Sequence, residues 1–275
     1  MASSRSAPPS STMVGFVALR RRSFGSLRAI IALMLREMSS TYGRTPLGYL
    51  WAILEPVVGI SLLTLVFMAI LHAPPIGNNF AIFYATGMLP FLLYMEMSNK
   101  VMQSMQFSTQ LLVYPSVTFV DALLARFFLT LLTQILVMGI VFAGLMALFD
   151  TRTQPDILKI ALAISMVAAL GFGVGSLNCV LVGFAPSWAR IWAIANRPMF
   201  LISCIFFPYE AIPLPYRDWL WYNPLVHVVG QMRHGFYPYY DAAYVSLLYV
   251  FGLALGLSAT GLLFLWRYYR DILHR

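Results

Sequence analysis

A chain of 275 residues that is 60% hydrophobic and only 10% charged, with a mean hydropathy of +0.77, cannot be solvated by water alone. Soluble domains carry about 25% charged residues, so most of this surface must face lipid. The net charge of +8 forms no basic patch of the kind a nucleic-acid-binding module needs, and no nucleic-acid partner is expected. Arginines facing anionic lipid at a cytoplasmic surface account for it instead.

Residues 1–24 open with the polar "MASSRSAPPSST" and read as a disordered cytoplasmic tail. The apolar run "MVGFVAL" is followed by Arg20, Arg21 and Arg22, with no small-residue cleavage site, so it does not read as a cleavable signal. From 25 to 43 the pattern changes. Leu27, Ile30, Ile31, Met34, Leu35 and Met38 recur at helical spacing, and Arg28 and Arg36 take the other face. This predicts an amphipathic helix along the inner membrane surface, stopped by Gly43. Such a helix serves as an anchor, or as an anchor that also touches a cytoplasmic partner.

Crossing about 30 Å of hydrocarbon takes about 20 apolar residues. Six runs within 49–266 qualify: 49–71, 78–97, 119–148, 157–183, 188–207 and 242–266. The expected fold is therefore an all-α membrane protein with six transmembrane helices. Placing the N-terminus inside puts 13 of the 18 basic residues in, or at the inner ends of, the cytoplasmic side, Arg126 and Arg190 included. Both termini are thus expected in the cytoplasm. Cys179 and Cys204 fall inside apolar runs and read as packing residues rather than a disulfide or a metal pair.

The entry to the first span, "TYGRTPLGYLWAILEP" (41–56), turns the chain at Gly43 and Pro46 and anchors it with Tyr49 and Trp51. Glu55 follows about 9 Å along the helix from Tyr49, near the inner interface. It suits either an ion pair with an arginine or a polar lining. Arg197 lies about ten residues into the fifth run and is followed by Pro198, which withdraws a backbone donor. A cation beside a loosened helix points to a polar route for an anionic cargo. The tryptophans Trp51, Trp188, Trp192, Trp219, Trp221 and Trp266 sit near span ends or in the outer segment. They suit an aromatic belt or rings lining a passage for sugars.

Segment 208–241 holds five prolines and nine Trp, Tyr or Phe residues. A short apolar helix pattern lies between Pro224 and Pro238, too short to span, and predicts a re-entrant outer segment that caps a cavity. Gly171, Gly173 and Gly175, and the pair Gly252 and Gly256, suit close helix packing. Chemistry-bearing motifs are missing. Neither Lys100 nor Lys159 follows a GxxxxG run, and no HExxH or GxSxG occurs. No metal site and no catalytic residue is expected, so a membrane enzyme is disfavoured. A secondary transporter or ATPase-independent flippase stays open, though the paired broken helices of such proteins are not seen.

The stretch "LREMSSTYGR" followed by "PLGYLWAILEP", with "FLISCIFFPYEAIP" (200–213) and "WYNPLVHVVGQMRHGFYP" (221–238), resembles the membrane subunit of capsular polysaccharide export ABC transporters. The likeness covers about residues 25–270. Relatives that export O-antigen or teichoic acid share the architecture, so the cargo stays open among these. The resemblance implies a homodimer working with two copies of a separate ATPase, which binds the ATP and Mg, so that no cofactor sits on this chain. It also implies a lipid-linked acidic polysaccharide as cargo, a periplasmic adaptor or co-polymerase leading to an outer-membrane exporter, and the bacterial inner membrane as location. It places a coupling loop at 103–121, with Leu111, Leu112, Val113, Tyr114 and Pro115 against the ATPase. The amphipathic helix becomes a cytoplasmic gate with Arg28, Arg36 and Glu37. The substrate route is assigned to Arg197, Arg190, Glu55 and Trp192, with Tyr49, Trp51, Arg44 and Arg126 near its inner end.

Overall fold

The structure is a computed structural model that describes residues 25–41, 48–112 and 117–273. Among these residues every regular element is helical. The helices are α1 (Gly25–Thr41), α2 (Gly48–Ile70), α3 (Phe80–Met102), α4 (Ser104–Leu112), α5 (Phe119–Leu148) and α6 (Ile157–Phe184). They are followed by α7 (Trp188–Ile202), α8 (Tyr216–Trp221), α9 (Pro224–Phe236) and α10 (Leu247–Leu273), with a 3-10 turn at Tyr209–Ala211. Helix starts carry the side chains that orphan N–H groups need. Asn79 accepts from Ala81 N–H at 2.8 Å, Asp156 accepts from Leu158 N–H at 3.0 Å, and Thr118 with Asp121 forms a capping box on α5.

Five helices are long and apolar enough to cross a membrane: α2, α3, α5, α6 and α10. The expected run at 188–207 is shorter than its composition suggested. Its helix α7 has 15 residues and rises about 22 Å, against about 30 Å of hydrocarbon. The chain turns immediately afterwards, with Cys204 at φ 57. Helix α2 continues through Pro56, and α7 through Pro198.

Helix α6 is the hub. A Cβ on Gly171 would lie 2.8 Å from Met97, and one on Gly175 would lie 2.9 Å from the Ser98 carbonyl, so α3 approaches the α6 backbone directly. On another face, a Cβ on Gly173 would meet the Ala254 carbonyl at 2.6 Å, and one on Gly261 of α10 would meet Leu177 N at 2.7 Å. These pairings run in the same direction along each helix, so α3, α6 and α10 are parallel. The chain between Phe184 and Leu247 must therefore travel back along the bundle. Helix α7 makes most of that journey, and α9 ends where α6 begins, with Asp156 N–H donating to the Gly235 carbonyl at 2.8 Å. The expected close packing holds for Gly171, Gly173 and Gly175. It does not hold for Gly252 and Gly256, which have nothing within 4 Å of an added Cβ.

Helix α9 is buried along most of its length, against α3 and α6. Its Arg233 is fully buried. The guanidinium donates to the carbonyls of Ile205 (2.9 Å) and Phe207 (3.2 Å) and lies 4.2 Å from the Phe83 ring centroid. It thereby fixes the turn after α7 to α9 and α3. His227 is also buried. Its Nε2 is 2.8 Å from the Trp221 carbonyl and its Nδ1 accepts from Ser246 N–H at 3.1 Å. Both bonds require the neutral ring with the proton on Nε2, and burial holds its pKa below the ordinary value.

Two outcomes follow for purified protein in detergent, read by the midpoint of thermal unfolding. Gly173→Ala is expected to lower it, by about 1–3 kcal/mol of overpacking, whereas Gly252→Ala leaves it unchanged or raises it, since alanine is the better helix former by about 1 kcal/mol. The second concerns pH. The unfolded His227 ring takes up a proton that the folded ring refuses, so its contribution is complete above about pH 6.5 and declines as pH falls towards the lower folded pKa. The advantage of wild type over His227→Gln should therefore shrink between about pH 7.5 and about pH 5.5; a constant difference would refute the neutral buried ring.

Candidate functional site

The end of the bundle where α1 meets α5 gathers charge. Helix α1 lies on α5 through Ile30 and Leu33, which pack on Ala125 with Met34, Val117 and Leu124 around them. One turn beyond Leu33, Glu37 is carried between the helices. Its carboxylate meets Arg126, with Nε to Oε2 at 3.3 Å and side chains only 5% and 6% exposed. Arg126 also donates from Nη1 to the Lys100 carbonyl at 2.9 Å and stacks 4.3 Å from the Phe107 ring centroid. Arg36 lies over the same ring at 5.5 Å. At the start of α1, the Ser26 hydroxyl donates to the Asp121 carboxylate. The other oxygen of Asp121 accepts from the Thr118 N–H at 2.9 Å and the Thr118 hydroxyl at 2.8 Å.

Burying such a pair is costly, and its Coulombic attraction does not by itself repay the lost hydration. Burial raises the Glu37 pKa, and Arg126 and then Lys100 oppose the rise. Beside the pair lies a polar pocket of about 20 Å³ lined by Glu37, Glu96, Lys100, Thr130, Thr133 and Gln134, room for about one water molecule. Glu55 on α2 is exposed but within electrostatic reach of Glu96. Among the described residues it makes no ion pair.

Helix α7 has two contrasting faces. Trp188 donates from Nε1 to Asn178 Oδ1 at 2.8 Å, and Trp192 and Asn196 follow at four-residue spacing on that inward face. The polar side-chain atoms of Trp192 and Asn196 are buried there with no hydrogen-bond partner among the described residues. Arg190, Ile194 and Arg197 occupy the exposed face. Elsewhere, an apolar groove of about 530 Å³ runs between α2 and α5, where Ser61 and Thr64 are its polar side chains. An open cleft of about 460 Å³ is lined by Tyr209, Asp218, Trp219, Trp221 and Tyr222.

Of the residues singled out by sequence, the structure brings Glu37, Arg126 and Arg36 together around Phe107. Arg28 points away from them and is exposed, as are Trp51 on α2 and Arg190 and Arg197 on α7. Arg126, placed by charge counting near the substrate route, is enclosed in the junction with Glu37. Arg44, Val113, Tyr114 and Pro115 lie outside the described residues, as do the side chains of Tyr49, Leu111 and Leu112. Sequence reasoning missed Glu96, Lys100 and Phe107 as neighbours of the buried pair, and missed Arg233 and Asn196. Periodicity held the signal for two charges. Glu37 continues the stripe of Ile30 and Leu33, and Arg233 continues that of Val226 and Val229. A charge on an apolar stripe needs a buried partner. Among the described residues no group of His, Cys, Asp and Glu is arranged to hold a metal. The arrangement is an electrostatic joint between helices, with two exposed cations on α7.

The ABC-2 type transporter model matches residues 28–237. The polysialic acid transport protein KpsM of Escherichia coli is 32% identical over 219 residues, covering 80% of this chain and 85% of that protein. The capsule polysaccharide export inner-membrane protein CtrC of Neisseria meningitidis is 26% identical over 240 residues, with 84% and 89% covered. BexB of Haemophilus influenzae, of the same description, is 24% identical over 236 residues, with 86% and 89% covered. With a match that spans all the long helices but α10 and takes in the α1–α5 junction, the chain belongs to the ABC-2 type transporter family as a membrane subunit.

Proposed function

We propose that this chain is the permease of a capsular polysaccharide exporter, which moves lipid-linked acidic glycan across the bacterial inner membrane on work done by a separate ATPase. The observation that carries this reading is the match to KpsM over four-fifths of the chain. The names of the relatives favour a capsular cargo over O-antigen or teichoic acid. The permease itself breaks and makes no covalent bond. It supplies the route and turns motion of the ATPase into displacement of helices.

The fold supports a six-crossing topology with both termini cytoplasmic. Helices α3, α6 and α10 run parallel, and α2 and α5 run antiparallel to α3: Gly59 meets Met88 while Phe67 meets Tyr84, and Arg126 meets Lys100 while Thr130 and Thr133 share a pocket with Glu96. Helix α7 then supplies the sixth crossing, its short span completed by the turn that Arg233 holds. The outer face receives α8 and α9. Helix α2 is the least enclosed of the five long helices, which leaves it available to a second copy, with the route between the two. Arg190 and Arg197, seven residues apart on the open face of α7, present cations to carboxylates or phosphates passing through a low-dielectric region. Few, exposed cations release such groups again, as processive transport needs. The segment 103–121 docks the ATPase on the cytoplasmic side.

Reconstitution in vesicles tests this. The chain alone should neither hydrolyse nucleotide nor carry glycan, whereas its complex with the cognate ATPase should do both. Arg197→Ala should assemble normally and slow export by about fivefold, as expected for about 1 kcal/mol per cation near an anionic group. Export at the wild-type rate would remove Arg197 from the route.

A further inference from the structure

We propose that Arg126 is the positioning residue that locks α1 to the cytoplasmic segment 103–121, so that displacement of this segment carries α1 with it. The inference rests on the proposed docking of an ATPase at that segment. Four elements converge on one guanidinium. Arg126 itself belongs to α5, its ion-pair partner Glu37 to α1, its carbonyl acceptor Lys100 to the end of α3, and the ring beneath it, Phe107, to α4. Phe107 is in turn covered by Arg36 of α1.

A second tether holds the opposite end of α1. Ser26 donates to Asp121, the same carboxylate that closes the capping box at the end of 103–121. Ser26 and Glu37 are about 16 Å apart along the helix axis. Attachment at two such points prevents α1 from pivoting as well as from sliding. Between them Ile30 and Leu33 pack on Ala125. On its other side α1 presents Leu27, Ile31, Leu35 and Met38, all exposed.

The physical reason for a charged joint is the solvent. In lipid, apolar contacts alone give helices no hydrophobic drive to stay together, because the tails are as apolar as leucine. The outer stripe of α1 can therefore exchange neighbours freely. The Glu37–Arg126 pair cannot. Parting it would separate two opposite charges that protein already shields from water, and a buried charge drawn away from its counter-charge is strongly disfavoured. The joint thus moves as one body, firm on its protein side and free on its lipid side.

The test compares the complex with its ATPase in lipid nanodiscs, nucleotide-free and trapped with ADP and vanadate, by hydrogen–deuterium exchange. In wild type, peptides from 103–112 and from 25–41 should both change on trapping. In Arg126→Gln and in Glu37→Gln, the change in 103–112 should persist and that in 25–41 should fall by about fivefold or more. Glu37→Gln is isosteric and keeps the packing of Ile30 and Leu33, so it answers the question if Arg126→Gln fails to assemble. A merely structural role would raise exchange of α1 in both nucleotide states and leave the difference between them intact; that result, or a wild-type response of α1, overturns the proposal. If 103–112 shows no response even in wild type, the docking reading falls, and the lock with it.

Discussion

Because lipid does not push apolar helices together, this bundle depends on backbone approach at α6. Dispersion contacts and weak carbonyl interactions act at short range, and only glycine lets two helix backbones come so near. Gly171 and Gly175 admit α3, Gly173 admits α10, and Gly261 of α10 reciprocates. With α9 set against α3 and α6, these helices form a firm inner body. Helix α2 lacks such glycine contacts along most of its length and stays largely exposed, and α7 turns one whole face outward. A transporter needs that division. Parts that move must be loosely held, and parts that register the movement must not be.

Two buried arginines stitch the firm body at opposite ends, by different chemistry. Arg126 has a carboxylate partner on another helix. Arg233 donates from its two Nη groups to main-chain carbonyls and lies on an aromatic face, while the nearby Glu210 accepts from Tyr240 at 3.1 Å. The carbonyls of Ile205 and Phe207 belong to the bend that follows α7, so Arg233 makes a seam that holds this turn against α9. An ion pair between separate helices joins bodies that keep their own internal hydrogen bonds, which suits a junction that travels. In both cases the guanidinium serves where lysine would not, since its planar fork spans several acceptors and stacks on a ring at once.

Hydropathy located the five long helices, closely for Phe119–Leu148 and Ile157–Phe184 and with ends up to seven residues off for Leu247–Leu273, because lipid imposes both length and composition on a crossing helix. In the structure Asn79, Thr118 and Asp156 cap the starts at Phe80, Phe119 and Ile157. What hydropathy could not reveal was the truncation of α7. The apolar run 203–207 continues the pattern, yet its backbone is bent to deliver carbonyls 205 and 207 to Arg233, a partner 26 to 28 residues away in sequence. The inner charges were only half legible for the same reason. The apolar stripe of α1 was visible, but Glu37 was assigned to a gate as a charged residue, when its register with Ile30 and Leu33 turns it inward. Glycine spacing misled where small residues at 252 and 256 face open space; spacing announces the possibility of a close partner, and only the neighbouring helix decides whether one is there.

Exposure then separates the cations by what they can do. An arginine enclosed by protein partners, as Arg126 and Arg233 are, has already exchanged its hydration for fixed acceptors, and its removal leaves those acceptors stranded. A passing anion gains little from it. Arg190 and Arg197 are exposed, and among the described residues neither makes an ion pair. Their seven-residue spacing sets them about 10 Å apart along one side of α7. Helix α7 joins this open face to an inward face whose Trp192 and Asn196 polar atoms have no hydrogen-bond partner among the described residues. A helix whose inward polar groups find few protein partners is held less firmly to the bundle than α6, which glycine contacts seam to α3 and α10.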